Sequence, residues 1–487
     1  MPQLQRTWQW IKASPVAMTF LLSIALSLAS LSYRASMNPD GIIYVMGGRV
    51  FIEEGFRAAL AYFNWPFFSI LIGITASILH IPYEAAGNLL SILMLSTTCV
   101  LMVKITQRYV PNSMWLACLV ALALPGINED RHNIMRENGA WMFLALAIWL
   151  AIRTPKRVDV LNAIGPTLAL LLAALFRAEF AVFYPPLILW QWYALKENRN
   201  LANTARLFAF PAAISLILIT AFVISDIKLT RITAFLNFLD FGPLKAKFSA
   251  NAAHIGAFMH PQFGQDGNNA LLAWGLLGYI FNSFLEICYA LNIPLAIGVY
   301  WAIKNNQSFA PLGFLFISIT IIVTIFVFQN YLLSDRYSAP MALLCIPLMT
   351  YGMTHLYASK RRLAIYLVTG LLVLNSLDNI ISTGDRDTHL VEAGKWIKKH
   401  QLTEQETYID FARIAYHADW VRYNFSHDRT SDRRRDIAYK NPKIRYMTLH
   451  RHVSDAELEW LEGKNLELLT DFTNSKGRKV LILKKPD

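Results

Sequence analysis

The stretch PVAMTFLLSIALSLASL, from Pro15 to Leu31, carries no charged residue and is close in length to a membrane-spanning helix. It is too long for the core of a cleavable signal peptide, and no small-residue cleavage site follows it. We therefore expect a retained first span. Arg6 and Lys12 precede it, and basic residues beside a span favour the cytoplasmic face. The sequence thus predicts a membrane protein with a cytoplasmic N-terminus.

The composition of the whole chain points to the same class. Of 487 residues, 55% are hydrophobic and 16% are charged, which is too apolar for a soluble domain of this size. All four cysteines lie in apolar runs, so we expect neither disulfides nor a cysteine metal site. The net charge of +12 belongs mostly to loops between spans, where the positive-inside effect explains it. We therefore do not expect nucleic-acid binding.

Further apolar runs predict about eleven spans in all. They lie near residues 15–33, 86–103, 114–127, 138–152, 158–176, 180–195, 207–225, 284–303, 310–328, 339–357 and 363–381. Alternate loops between them are short and basic, which is typical of a cytoplasmic face. Residues 65–81 and 270–283 are also apolar. If either one alone crossed the membrane, the basic loops after it would lie on the outer face, so we expect surface-lying or re-entrant segments there. If both cross, thirteen spans give the same orientation.

The chain is predicted to contain two domains. Residues 1–381 form an α-helical polytopic domain, with residues 34–85 as a long first loop on the outer face. Residues 382–487 are polar, and we expect them to form a small soluble α/β domain on the extracytoplasmic side. Its predicted elements are helices near 387–400 and 454–462 and strands at 407–410 and 479–483.

The loops that this topology places outside carry the candidate functional residues. They are Asp40 and Tyr44 in the first loop, Arg131, Arg136 and Glu137 in the second, Arg177 and Glu179 in the third, Lys245 in the fourth, and Arg336 and Tyr337 in the fifth. Charges at helix ends are costly to insert, so they usually pair with one another or bind a ligand. Local pairs and a shared anion site both fit this pattern.

In their order along the chain, these features resemble the integral-membrane C-type glycosyltransferases, which include protein O-mannosyltransferases and lipid A aminoarabinose transferases. The matching segments are Asp40 to Tyr44, a helical stretch ending in glycine from Val50 to Gly55, Asn64-Trp65-Pro66-Phe67-Phe68, the arginines and acid of the second outer loop, and Asp335-Arg336-Tyr337-Ser338-Ala339-Pro340. The chain has Asp40-Gly41 where the family often has Asp-Glu, and Ala178 where it often has proline. The first departure puts a second acidic ligand in question, so the use of a divalent metal stays open.

The resemblance implies transfer of a sugar from a polyprenyl-phosphate donor to an envelope lipid, glycan or protein, on the outer face of a bacterial inner membrane. This chemistry needs a carboxylate to take the acceptor's proton and cations to hold the phosphate. Asp40 is the predicted base, the outer arginines are the predicted phosphate ligands, and Lys245 is a mobile helper. One carboxylate and one displacement imply inversion at the anomeric carbon.

Other interpretations stay open at this stage. Asn38-Pro39-Asp40-Gly41 is turn-forming, so Asp40 can also be purely structural. A transporter or flippase of lipid-linked sugars would show internal repeats and charges near the bilayer midplane, and we find no repeat. Another lipid-carrier enzyme, such as an O-antigen ligase or polymerase, would use the same carrier. A membrane scaffold is a further alternative, and the sequence does not specify the sugar or the acceptor.

Overall fold

A computed structural model describes residues 14–153, 160–224, 241–258, 264–359, 361–380, 387–420, 431–451 and 464–486. These residues are mainly helical, and one small sheet lies near the C-terminal end. The predicted class, an α-helical polytopic membrane protein with a small C-terminal α/β region, is confirmed.

The described residues of the apolar region are almost entirely helical. The helices are Pro15–Ser32, Tyr83–Tyr109, Met114–Ala123, Pro125–Asn128, Glu137–Arg153, Val160–Phe176, Tyr184–Ala194, Leu201–Ile224, Phe241–Gly256, Gly264–Cys288, Asn292–Lys304, Leu312–Asn330, Asp335–Ala358 and Arg362–Asp378, with 3-10 turns at Ala178–Phe183, Lys196–Asn198 and Tyr289–Leu291.

Five stretches of the described chain are long and apolar enough to cross a membrane. They are Pro15–Ser32, Tyr83–Tyr109, Gly267–Lys304, Leu312–Asn330 and Asp335–Ala358. Shorter apolar helices occur at Phe67–Leu79, Met114–Ala123 and Ala163–Phe176. The predicted number of eleven to thirteen spans stays a prediction, because several of the predicted runs form helices that fall short of this length.

Both segments whose path the sequence left open are helical. Phe67–Leu79 has 13 residues, so at about 1.5 Å per residue it is shorter than a hydrocarbon core of about 30 Å. Residues 270–283 lie inside the continuous helix Gly264–Cys288, where we expected a surface-lying or re-entrant segment. A single 3-10 turn joins this helix to Asn292–Lys304, and together they form one candidate span.

Contacts divide the chain into two compact units. The first contains the described residues of Met1–Leu28, Ser91–Arg131 and Arg136–Ile380, and the second those of Ala29–Leu90, His132–Met135 and Ile381–Asp487. The predicted first outer loop, residues 34–85, thus lies in the same unit as the C-terminal tail. The predicted domain boundary after residue 381 stays a prediction.

The predicted first outer loop consists mainly of helices, at Pro39–Glu54, Phe56–Tyr62 and Phe67–Leu79. We expected a helical stretch only over Val50–Gly55. The helix begins earlier because Pro39 lacks an N–H and has φ preset for the first turn, and Asp40 there complements the helix dipole. It ends at Gly55, whose φ of 89° favours glycine. Asp40 therefore lies in a helix and not in an isolated turn.

Two glycines fix the position of the helix that carries Asp40. A Cβ on Gly48 would lie 2.7 Å from the carbonyl oxygen of Ser69, and a Cβ on Gly73 would lie 2.7 Å from that of Gly48. Helices Pro39–Glu54 and Phe67–Leu79 therefore cross with their backbones in close approach, as small residues allow in membrane proteins. A larger side chain at either position would force the two helices apart.

The C-terminal tail is a small α/β unit. Its strands are β1 (Thr407–Tyr408), β2 (Tyr446–Arg451), β3 (Glu467–Thr473) and β4 (Lys479–Lys484), in the order β1-β2-β4-β3. Strands β1 and β2 are parallel, and the other pairs are antiparallel. The helices are Thr388–Lys399, Ala412–His417 and Ser431–Lys440.

The predicted helix near 387–400 and the strands near 407 and 479 are confirmed. The predicted helix near 454–462 lies outside the described residues. Apolar side chains from the helices and strands pack into a core around Leu390, Ile397, Ile414 and Ile482. We call Ala412–His417 the tail helix below.

The orientation of the chain is directly testable. Because basic loops alternate with charged but less basic ones, we expect Lys156 and Lys304 in the cytoplasm and Asn474 outside. Alkaline phosphatase fused after Asn474 should be active, and the same fusion after Lys156 or Lys304 should be inactive. Cytoplasmic reporter activity at Asn474 would contradict the orientation and every outer-face role assigned below.

Candidate functional site

Five of the predicted site residues form one cluster in the first unit. Arg177 Nη1 donates to Glu137 Oε1 at 2.9 Å, and Arg177 Nη2 donates to Glu179 Oε1 at 3.1 Å. Arg336 Nη1 lies 3.7 Å from the same Glu137 oxygen. The Arg177 guanidinium also lies over the Tyr337 ring, 4.6 Å from its centre. Residues from the second, third and fifth predicted outer loops therefore meet at one place.

The ends of three helices bring these side chains together. Glu137 lies in the first turn of Glu137–Arg153, where a carboxylate is favoured by the helix dipole. Arg177 directly follows helix Val160–Phe176. A Cβ on Gly139 would collide with the Phe176 ring, so these two helices approach closely just beside the pair. The first turn of Asp335–Ala358 supplies Arg336 and Tyr337, and the 3-10 turn Ala178–Phe183 supplies Glu179.

The cluster is buried at its centre and open at its edge. Arg177 and Glu137 are each 2% exposed, whereas the side chains of Arg336 and Glu179 are 37% and 35% exposed. Burial by itself would raise the pKa of Glu179, but the adjacent Arg177 outweighs it and lowers that pKa to about 2. Arg136 also contributes to the lowered pKa. The two arginines and two glutamates of the cluster balance in formal charge, and the nearby Arg136 adds one excess positive charge.

The two carboxylates keep hydrogen-bonding capacity. Glu137 Oε2 and Glu179 Oε2 are buried and have no hydrogen-bond donor among the described residues. A buried acceptor without a donor is costly, so this arrangement is typical of a place where a ligand group or water completes the network. The cluster therefore combines an exposed guanidinium, which can bind an anion, with carboxylate oxygens that can accept from hydroxyl groups.

Arg131 lies elsewhere in the first unit. It is 2% exposed, its Nη1 donates to Ser23 O and Oγ at 3.0 Å and to Ser27 Oγ at 3.1 Å, and its Nη2 donates to Asn128 Oδ1 at 2.5 Å. These bonds connect the first helix to Pro125–Asn128. The contacts explain Arg131 as a structural residue, and we do not carry its predicted phosphate role further.

Lys245 is exposed on helix Phe241–Gly256. The lysine of this helix that contacts the segment before Arg336 is Lys247. Lys247 Nζ donates to Gln329 O at 2.6 Å and lies 5.2 Å from the centre of the Tyr331 ring. These two partners lie in the segment just before Arg336. We predicted the helper at Lys245 in the fourth outer loop, and nothing in the sequence indicated the contacts of Lys247.

Asp40 and Tyr44 lie one helical turn apart in the second unit. Asp40 is half-buried in the first turn of its helix. The Tyr44 ring is 4% exposed and packs edge-on against Phe63 at 5.6 Å and Phe68 at 5.4 Å. Tyr44 therefore anchors the helix of Asp40 against the Trp-Pro-Phe-Phe run, which gives the tyrosine of this motif a structural role.

The second unit also contains a cleft of about 390 Å³ that the sequence did not reveal. It is lined by Val45, Met46, Arg49, Pro82, Tyr83, Glu84, Lys398, Tyr416, His417 and Asp419. Arg49 and Lys398 both pair with Asp419, at 3.3 and 3.2 Å. No spacing rule links the first outer loop to the distant tail, so the sequence carried no signal for this cleft.

Within the described part of the chain, no group of three or more His, Cys, Asp or Glu side chains is arranged to hold a metal ion.

No family model matches this chain, and no curated protein matches it. Among solved structures, the crystal structure of ArnT from Cupriavidus metallidurans in the apo state is similar over 97% of this chain and 98% of that chain. The two chains share 13% identity, and the TM-score is 0.41. At those values we draw no functional conclusion from the likeness, and the proposals below rest on this chain's own residues.

Proposed function

We propose that this protein is a membrane glycosyltransferase that moves a sugar from a polyprenyl-phosphate donor to an envelope lipid, glycan or protein with inversion at the anomeric carbon. The main support is the cluster of Arg177, Glu137, Glu179 and Arg336, because it joins a buried ion pair to an exposed guanidinium at the ends of helices. A guanidinium held in this way suits a phosphate, which it can bind through two parallel hydrogen bonds.

The roles within the cluster differ. Both terminal nitrogens of Arg177 already donate to carboxylates, so its main task is to hold Glu137 and Glu179 in place. The side chain of Arg336 lies 3.7 Å from Glu137 and is 37% exposed, so a ligand can reach it, and we assign the donor phosphate to it. The unbonded carboxylate oxygens are suited to accept from sugar hydroxyls.

The displaced group is a phosphate, which is already a good leaving group, so the reaction requires no strong general acid. It requires a base for the acceptor hydroxyl, and Asp40 is the residue we assign. No part of this assignment involves a metal ion. We expect the reaction to take place on the extracytoplasmic face of the membrane.

A comparison of cell envelopes tests the proposal. Envelope glycolipids, glycans and glycoproteins should be analysed by mass spectrometry in cells that lack the protein, cells that contain it and cells that carry Arg336→Gln. We expect at least one species to lose the mass of one sugar in the first and third strains. If no species changes mass, the glycosyltransferase function is wrong, and a transporter would instead cause unmodified lipid-linked donor to accumulate.

Lys247 provides a smaller test on purified protein. Lys247→Ala should raise the donor KM by about threefold to tenfold, because an exposed charged hydrogen bond is worth about 1 kcal/mol and this one holds the segment before Arg336. Lys245→Ala, on the same helix, is the matched control and should leave the KM within about twofold. Equal effects of the two substitutions would show that only the charge of this helix matters.

A further inference from the structure

The tail helix directs polar side chains at the residues that precede Asp40. Arg413 Nε donates to the backbone carbonyl of Met37 at 2.9 Å. His417 Nε2 lies 3.1 Å from Ser36 Oγ, within hydrogen-bonding distance. Both contacts join positions more than 370 residues apart in sequence, and both lie in the second unit. The chain entering the helix of Asp40 is therefore held from the tail.

A third side chain of the tail helix, Tyr416, is connected to the segment before Asp40 through the carboxylate of Glu84. Tyr416 OH donates to Glu84 Oε2 at 2.9 Å, and Arg34 Nη2 donates to Glu84 Oε1 at 2.7 Å. Arg34 Nη1 also donates to the carbonyl oxygen of His132 at 2.5 Å. Both oxygens of Glu84 thus accept a hydrogen bond, one from the tail helix and one from the segment before Asp40.

The tail helix is itself fixed in place. A Cβ on Gly394 would lie 2.5 Å from His417 Cβ and 2.6 Å from the carbonyl oxygen of Ile414, so the neighbouring helix packs tightly against it. Ile414 is fully buried in the core of the tail. Burial is the main influence that lowers the pKa of His417, which keeps its imidazole neutral at pH 7 and able to share a hydrogen bond with a hydroxyl group.

The contacts of Arg413 and His417 reach the two residues before the N-cap of the helix. Met37 immediately precedes Asn38, whose side chain bonds the backbone of Ile134 in both directions, at 3.0 and 3.3 Å. That side chain makes no capping bond to its own helix. The direction of the first turn, and with it the position of Asp40, therefore depends on these outside contacts.

We propose that the tail helix is a positioning element for Asp40, with Arg413, Tyr416 and His417 holding residues 34–37. The inference rests on the proposed function to the extent that Asp40 is taken as the base. These residues do not touch the reacting atoms; they set the place of the carboxylate that does. A displacement of about 1 Å in a reacting group can reduce turnover by about a hundredfold.

Two arginines give a matched experiment. Arg413→Gln should lower kcat by about tenfold to a hundredfold and leave the donor KM within about twofold. The control is Arg49→Gln, which also removes an arginine that bonds the tail, but at an exposed pair with Asp419 and nine residues beyond Asp40. It should leave both constants within about twofold. Tyr416→Phe removes one hydroxyl group with little risk to folding and should lower kcat in the same direction.

Combination with Asp40→Asn separates positioning from general stability. If the tail helix acts through Asp40, Arg413→Gln should cause no further loss of the residual turnover in the Asp40→Asn background. The same further loss in both backgrounds would overturn the proposal, because the residue would then act independently of the carboxylate.

Hydrogen exchange gives a readout that does not depend on activity. Amides of residues 34–41 should exchange faster in Arg413→Gln than in the wild type or in Arg49→Gln, because the segment loses a contact. Unchanged exchange there would overturn the positioning role. Near-normal turnover of Asp40→Asn alone would instead contradict the proposed base, and hence the positioning of a base, even if the exchange result shows that the tail helix holds the segment.

Discussion

Asp40→Asn should reduce sugar transfer by about 10²–10⁴-fold while leaving the fold and donor binding unchanged. Asparagine has nearly the same shape as aspartate and is well tolerated near a helix N-terminus, so the substitution removes the proton acceptor and little else. Asp40 is half-buried in the first turn of Pro39–Glu54, where a side chain of the same size fits without moving its neighbours. The measurement is turnover of a synthetic polyprenyl-phosphate sugar by purified protein in detergent, with donor binding measured separately.

The same helix provides the controls. Glu53→Gln and Glu54→Gln remove exposed carboxylates from its far end and should leave turnover within about twofold. Glu53 pairs with Arg49 at 2.8 Å with its side chain 46% exposed, a pair of little energetic weight. If Asp40→Asn turns over near the normal rate, its carboxylate has a structural role at the start of the helix.

In that event Glu129 becomes the next candidate for the base. Glu137 lies in the same predicted outer loop, but its carboxylate already accepts a hydrogen bond from Arg177. Burial and the nearby Asp130 raise the pKa of Glu129, which moves it towards the range of a useful base.

The sequence predicted those parts of the fold that depend on local hydrophobicity. Apolar run length located most of the helices, because a span must be apolar over its whole length. The helix Thr388–Lys399 and strand β4 followed from periodicity in the same way. The long helix Pro39–Glu54 was predicted only at its end, because Gly41, Gly47 and Gly48 reduce its local helix propensity. Close packing at Gly48 and Gly73 outweighs that deficit.

The candidate site was predicted in part, for a physical reason. Helix ends on one face of a membrane lie at a similar depth, so shared sidedness made Glu137, Arg177 and Arg336 candidates for one site. Sidedness alone cannot tell a guanidinium that binds a ligand from one that bonds serines of a neighbouring helix, which is the case for Arg131. Contacts such as Arg413 with Met37 depend on how the tail folds back, which no local pattern encodes.

The buried ion pair carries the second large expected effect. Arg177→Met should reduce the free energy of unfolding by about 3–5 kcal/mol, because it leaves the buried Glu137 carboxylate without its closest partner. Arg336→Lys is the control: its side chain is 37% exposed, so stability should change little, whereas the donor KM should rise because the fork geometry is lost. Unfolding in mixed detergent–SDS micelles gives the stabilities.

A triple substitution tests the cause of that loss. Arg177→Met combined with Glu137→Gln and Glu179→Gln removes the unpaired charges and should recover most of the stability, since a buried pair replaced on both sides is often neutral. If the triple variant is no more stable than Arg177→Met, the loss comes from packing against Tyr337 and not from the carboxylates. If Arg177→Met is as stable as the wild type, Arg177 is not the organising residue, and its guanidinium becomes a candidate to bind the donor phosphate directly beside Arg336.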